Sequence, residues 1–187
     1  MKRDRRWKGR AFLAMSLDGY IAREDGDVSW LEELSDDVGH VPTSAENPAL
    51  VWETFFPEVD TIVMGRGTFE KLLTFGVWPF DEVDVLVLSA SLQTEDARVK
   101  IARSLGELTE RLSGDQAKNV YIDGGATIRS FLSEGLLDEL TVAVVPVILG
   151  TGISLFGKDV PETSLRVRGS HVTGEGLVRI TYEIAPA

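Results

Sequence analysis

Asn119-Val120-Tyr121-Ile122-Asp123-Gly124-Gly125-Ala126-Thr127-Ile128-Arg129-Ser130-Phe131-Leu132-Ser133 passes from one periodicity to another with only two glycines between them. Asn119 to Ile122 is a short apolar run, which predicts a buried strand. Ala126 to Ser133 places Ile128, Phe131 and Leu132 on one helical face. Gly124-Gly125 between them has two readings. It is a tight strand-to-helix turn, or a place where backbone approaches an anion beneath free helix N–H groups.

The same grammar recurs upstream. Thr61 to Met64 predicts a strand that runs into Gly65-Arg66-Gly67-Thr68 and a helix over Thr68 to Leu73. Val83 to Leu88 predicts a strand ending at Ser89-Ala90-Ser91. Arg10 to Ser16 predicts a buried strand ending at the turn pair Asp18-Gly19. Ser104-Leu105-Gly106-Glu107 matches a capping box and opens a helix with Leu105, Leu108 and Leu112 on one face. Leu140 to Val145 is rich in β-branched residues and stops at Pro146. Leu165 to Val172 and Leu177 to Ile184 alternate across Thr173-Gly174-Glu175-Gly176, which predicts a hairpin. Strands alternating with helices give an α/β fold with a mostly parallel sheet covered on both faces, and the hairpin adds antiparallel edge strands. The two prolines and small residues of Asp36 to Pro48 predict a loop.

At 187 residues the chain suits one domain, expected over residues 9–187 behind a flexible tail at 1–8 whose basic residues are solvated. Cysteine is absent, which excludes disulfides, thiolate zinc sites and a cysteine nucleophile. Two histidines, His40 and His171, are far apart, so no metal site is expected. A net charge of −11 disfavours nucleic acid and anionic membranes as partners. No stretch approaches the ~18 apolar residues of a membrane span, and a cytoplasmic protein is expected.

In open α/β sheets, ligands bind beyond the carboxyl ends of the strands. Gly124, Gly125 and Thr127 fit a pyrophosphate there. Arg66 is either a surface arginine or a guanidinium that grips a phosphate. With Thr68, Ser89 and Ser91 it makes a phosphate site, and a 2′-phosphate favours NADPH over NADH.

Met15-Ser16-Leu17-Asp18-Gly19-Tyr20-Ile21-Ala22 resembles the first strand and loop of the dihydrofolate-reductase-like superfamily, in the branch of the riboflavin-biosynthesis reductase domain and its stand-alone homologues. Met64-Gly65-Arg66-Gly67-Thr68-Phe69-Glu70, Ile122-Asp123-Gly124-Gly125 and the segment from Pro146 to Phe156 resemble later motifs of that branch, in the same order. The resemblance runs from about Gly9 to Ile184.

It implies a dihydrofolate-reductase-like fold and an NADPH-dependent reductase that transfers hydride to a C=N or C=O carbon of a small, pterin- or pyrimidine-like substrate. By this resemblance Ala14 and Ile21 bracket the nicotinamide. Gly65, Arg66, Gly67 and Thr68 meet the adenosine ribose and its phosphate. Ser89, Ala90 and Ser91 flank the adenine side. Gly124, Gly125, Ala126, Thr127 and Ile128 hold the pyrophosphate. Asp18 lies near the nicotinamide and substrate, and is the first candidate to orient substrate or relay a proton. Glu53 is the second. Trp30 corresponds to an active-site tryptophan. The acid that dihydrofolate reductases carry before their second strand falls at Ala49, between Glu46 and Glu53.

Two other functions stay open. One is 5-amino-6-(5-phosphoribosylamino)uracil reductase, whose phosphorylated substrate calls for a second basic group such as Arg129, Lys158 or Arg166. The other is an NADPH-binding module without catalysis. The resemblance also implies a homodimer, through the sheet edge near the terminal hairpin. Substrate choice is expected to lie between Gly26 and Pro48 and in the helix that follows.

Overall fold

The computed structural model describes residues 5–31, 46–158 and 160–185. Strand β1 (Lys8–Ser16) leads by a tight turn at Gly19 to β2 (Tyr20–Ala22), and a 3-10 turn follows at Ser29–Leu31. Helix α1 (Trp52–Phe55) continues as a 3-10 turn at Phe56–Glu58. Then come β3 (Thr61–Gly65), α2 (Arg66–Thr74), β4 (Asp84–Leu88), β5 (Val99–Ala102), α3 (Leu105–Gly114), β6 (Asn119–Asp123) and α4 (Gly125–Ser133). The chain ends with β7 (Glu139–Val145), β8 (Ile153–Ser154), β9 (Leu165–Val172) and β10 (Val178–Ile184).

Among the described residues one sheet carries eight strands in the order β5-β4-β3-β6-β1-β7-β10-β9. From β5 to β7 every neighbouring pair is parallel. β10 pairs antiparallel with both β7 and β9. The parallel strands therefore finish at one edge, and this is what gathers the candidate loops.

Alternation along the central strands divides the core between two faces. Ala11, Val63, Leu86, Val120 and Ile122 pack under α3 and α4, with Leu108, Leu112, Phe131 and Leu132. Ile62, Met64, Val85, Val87 and Tyr121 pack under α1 and α2, with Phe55 and Phe69. A third cluster, Trp30, Ala143, Val145 and Leu177, joins Ala14 on the α1 side of β7.

Strands and helices predicted from periodicity are all present. Missing from that reading were β5 and the short pair β2 and β8, which hydrogen-bond antiparallel with Tyr20 opposite Ser154. The box at Ser104 forms with one variation. Its hydroxyl accepts from the Glu107 amide (3.2 Å), but the Glu107 carboxylate accepts from Arg103 N–H (2.7 Å), one residue earlier than the usual partner.

The flexible tail expected over 1–8 is corrected from Arg5 onward. Trp7 is buried against Phe131, and Lys8 already belongs to β1. Arg5 bonds the Leu136 carbonyl (2.7 Å) and the Asp138 carboxylate (2.8 Å). A large aromatic side chain held this far inside the core outweighs the entropy of a free terminus. Residues 1–4 lie outside the described residues, as does most of the loop expected over 36–48.

Candidate active site

Helices α2 and α4 cover opposite faces of the sheet yet begin side by side, because β3 and β6 are neighbours. Gly124 has φ +86°, and a Cβ there would stand 2.2 Å from Thr68 Oγ1. A Cβ on Gly65 would stand 3.1 Å from Thr127 Oγ1. Each helix thus sets a threonine against the glycine before the other helix. Only glycine accepts both the backbone angle and the closeness at 124. The first turns of α2 and α4 direct backbone N–H groups that have no intrahelical partner toward this shared edge.

Ile128 is the exception among the residues assigned there. Its side chain is in the core and its N–H is bonded to the Gly124 carbonyl at 3.0 Å, so the open amides are those of Gly125, Ala126 and Thr127. Gly125 lies beneath Ile21, and a Cβ there would meet Ile21 Cδ1 at 2.6 Å. The structure therefore brings the two expected glycines, Thr127 and Ile21 together.

The other end of this edge is basic and hydroxyl-rich. Arg66 donates to Ser91 Oγ (3.3 Å) and faces Glu70 across 3.7 Å, both exposed. Ser89 Oγ accepts from the amides of Leu92 (3.0 Å) and Ser91 (3.4 Å). Arg103 fixes this loop by donating to the carbonyls of Leu92 (2.6 Å) and Ser89 (3.2 Å), a role the sequence did not signal. Between α4 and the start of α3 lies an open groove of about 530 Å³ whose lining includes Leu88, Leu105, Ala126 and Ser130. It adjoins the serine loop and is not lined by Asp18, Trp30 or Glu53.

Asp18 is a clasp. Its Oδ1 accepts from Ser16 Oγ (2.6 Å) and the Leu149 amide (3.1 Å), and its Oδ2 from the Gly150 amide (2.7 Å). The Ser16 hydroxyl, with help from those amides, holds the Asp18 carboxyl below its usual range. Leu17 N–H to the Val147 carbonyl and Leu155 N–H to the Gly19 carbonyl complete the join between the loops after β1 and β7. A carboxylate so solvated by donors is ionised at neutral pH and has no proton to give.

Asp123, at the end of β6, is the opposite case. Burial pushes its carboxyl up, while the Gly124 amide and the Tyr121 hydroxyl pull the other way. Tyr121 donates to the Phe12 carbonyl (3.1 Å), and burial raises its own hydroxyl well above the usual value. Reading the loop motif for its glycines hid the acid that precedes them.

Glu53 is exposed on α1. Trp30 is buried against Ala14 and Ala143, with its Nε1 lacking a hydrogen-bond partner. Trp52, half-exposed, stacks on Phe56 (centroids 4.7 Å apart) and meets Phe12 edge-on. Ala49 is buried, and its amide donates to His171 Nδ1 (3.1 Å). Burial, and then Arg179, hold His171 below its usual range. Of the basic groups considered for a second phosphate, Arg129 holds the Ser154 carbonyl (2.6 Å), Arg166 faces Glu183 (3.8 Å), and Lys158 is exposed. Among the described residues no three acidic or histidine side chains form a metal site, and no helix is long and apolar enough to cross a membrane.

The sheet order, the paired helix starts and the antiparallel strands at one edge define the dihydrofolate-reductase-like α/β class. Dihydrofolate reductase from Enterococcus faecalis, solved with NADP(H), superposes with a TM-score of 0.62 at 16% identity, covering 97% of this chain and 99% of that one. The chain belongs to the RibD C-terminal domain family, which matches residues 8–179.

A protein of Shewanella sp. PV-4, provisionally assigned to riboflavin biosynthesis, is 32% identical with a TM-score of 0.81, covering 96% of this chain and 99% of that one. The uncharacterised Bacillus subtilis protein YwjB is 34% identical over 171 residues, which is 89% of this chain and 92% of YwjB. Riboflavin biosynthesis protein RibD of Aquifex aeolicus is 27% identical over 194 residues, and there the match covers 88% of this chain but 54% of the relative.

Proposed function

We propose that the protein is a cytoplasmic NADPH-dependent reductase that delivers hydride to a C=N or C=O carbon of a small pterin- or pyrimidine-like molecule. The observation that carries this is the reciprocal glycine and threonine cradle at the joined starts of α2 and α4, with Arg66 and Ser91 at its end. It fits a dinucleotide. Glycines admit the pyrophosphate, and open amides with two helix dipoles meet its charge. Leu88 and Ala126 give the adenine an apolar slot, and the Arg66 guanidinium suits a 2′-phosphate. The relatives named for reductases support the same reading.

When bound, the nicotinamide supplies the hydride. The protein supplies position and a proton. Ala14 and Ile21 bracket the place for the ring, and Asp18 holds the two loops that enclose it. Asp123, whose carboxyl burial raises above its usual range, is the group assigned to deliver the proton to the substrate nitrogen or oxygen. Trp30 packs beside Ala14 and backs the place for the ring and substrate. Glu53, exposed on α1, is assigned no part in the proton transfer.

Titration with NADPH and NADH, followed by tryptophan fluorescence, tests the cofactor site. NADPH should bind more tightly than NADH. Arg66→Ala should weaken NADPH by about tenfold or more, from the ~1.5–3 kcal/mol of a charge-assisted hydrogen bond, and leave NADH unchanged. Binding of neither would remove the reductase reading.

A further inference from the structure

Strand register places four residues in one row across the sheet. Ala14 on β1 opposes Ala143 on β7, Ala143 opposes Arg179 on β10, and Arg179 opposes His171 on β9. Directly opposed residues point to the same face. This is the face of Phe12, whose ring lies 5.5 Å from the Arg179 guanidinium carbon. The two alanines keep the row low. Trp30 packs on them, and Trp52 meets Phe12 edge-on. Arg179 thus stands two strands from Ala14, about 10 Å away at ordinary strand spacing.

Among the described residues no anion answers the guanidinium. Its Nε is buried without a hydrogen-bond partner. Among the described residues no carboxylate lies within ion-pair distance of it, although Arg5, Arg10, Arg98, Arg111 and Arg168 each hold one. In a chain with 30 acidic residues against 19 basic ones, an unanswered arginine beside an apolar floor stands apart. His171 cannot serve as its partner, because its Nδ1 is spent on the Ala49 amide and the ring is neutral. A partly buried donor left open loses solvation unless a ligand restores the bond.

We propose that Arg179 recognises an anionic group of the substrate, a carboxylate or a phosphate, about 10 Å from the carbon that receives hydride. The placement of that carbon rests on the reductase reading; the anion site does not.

The test uses the ¹⁵N signal of the Arg179 Nε–H, assigned by its loss in Arg179→Gln. Protein saturated with NADPH, so that Arg66 is occupied, is titrated with inorganic phosphate and separately with benzoate. A saturable shift of that signal with one of them is expected, and the stronger responder tells phosphate from carboxylate. Binding, read also by tryptophan fluorescence, should fall roughly tenfold or more in Arg179→Gln and partly return in Arg179→Lys. A signal unmoved by either anion, or moved equally by chloride at matched ionic strength, overturns the proposal. Failure of NADPH to bind would sink the reductase reading alone, since titration without cofactor still reports on Arg179.

Discussion

Asp18 and Asp123 are both aspartates at the ends of central strands, yet their surroundings send them in opposite directions. Asp18 meets a hydroxyl and two amides; Asp123 meets the interior. For Asp123 the folded form binds its proton more tightly than the unfolded chain. Its ionisation therefore removes stability as pH rises from about 4 through the folded value. Asp123→Asn, of the same shape, should flatten that decline in urea titrations across pH while NADPH binding is kept. Turnover should fall by about 10²- to 10⁴-fold, the range expected for loss of a general acid. An Asn variant with wild-type turnover would end the assignment. The sequence showed both acids, but only burial and donors, which arise from distant segments, distinguish them.

At the level of elements, the junctions matter more than the strands they join. Gly124 takes a backbone angle that side chains resist and touches Thr68 from a different helix. Gly124→Ala should cost about 1–3 kcal/mol, from backbone strain and a forced separation of the helix starts. Thermal unfolding should move down by about 2–4 °C per kcal/mol. NADPH affinity should fall with it. Gly67→Ala, with open space at the Cβ position, is the comparison that should leave both measures near wild type.

The strand-to-helix grammar made these junctions readable, because apolar runs of five residues and helical stripes leave clear periodicities. β2 and β8 were hidden because two or three residues carry no period, and their pairing is fixed by loops over 130 residues apart. Trp7 was misread because a basic cluster surrounds it, and neighbours in sequence do not report that Phe131 waits in the core.

Across the whole molecule, the two main hydrophobic clusters are opposite faces of the same strands. Ile62 and Met64 belong to one and Val63 to the other; Tyr121 belongs to one and Val120 and Ile122 to the other. Neither face can be lost while the other keeps its backbone. Urea unfolding should therefore give one transition, with far-ultraviolet circular dichroism and tryptophan fluorescence superimposing. Separate midpoints would show that the halves of the sheet melt independently.

Asp138 ties both described ends of the chain at the edge opposite the loops that follow β3 and β6. Its carboxylate takes the Arg5 guanidinium and the Gly9 amide, and its carbonyl takes the Ile184 amide, each at 2.8 Å. A partner domain or an affinity handle joined at either end would project from the floor of the sheet and leave the joined starts of α2 and α4 clear. A linker between the two ends, with new termini opened in a loop elsewhere, should preserve the whole architecture.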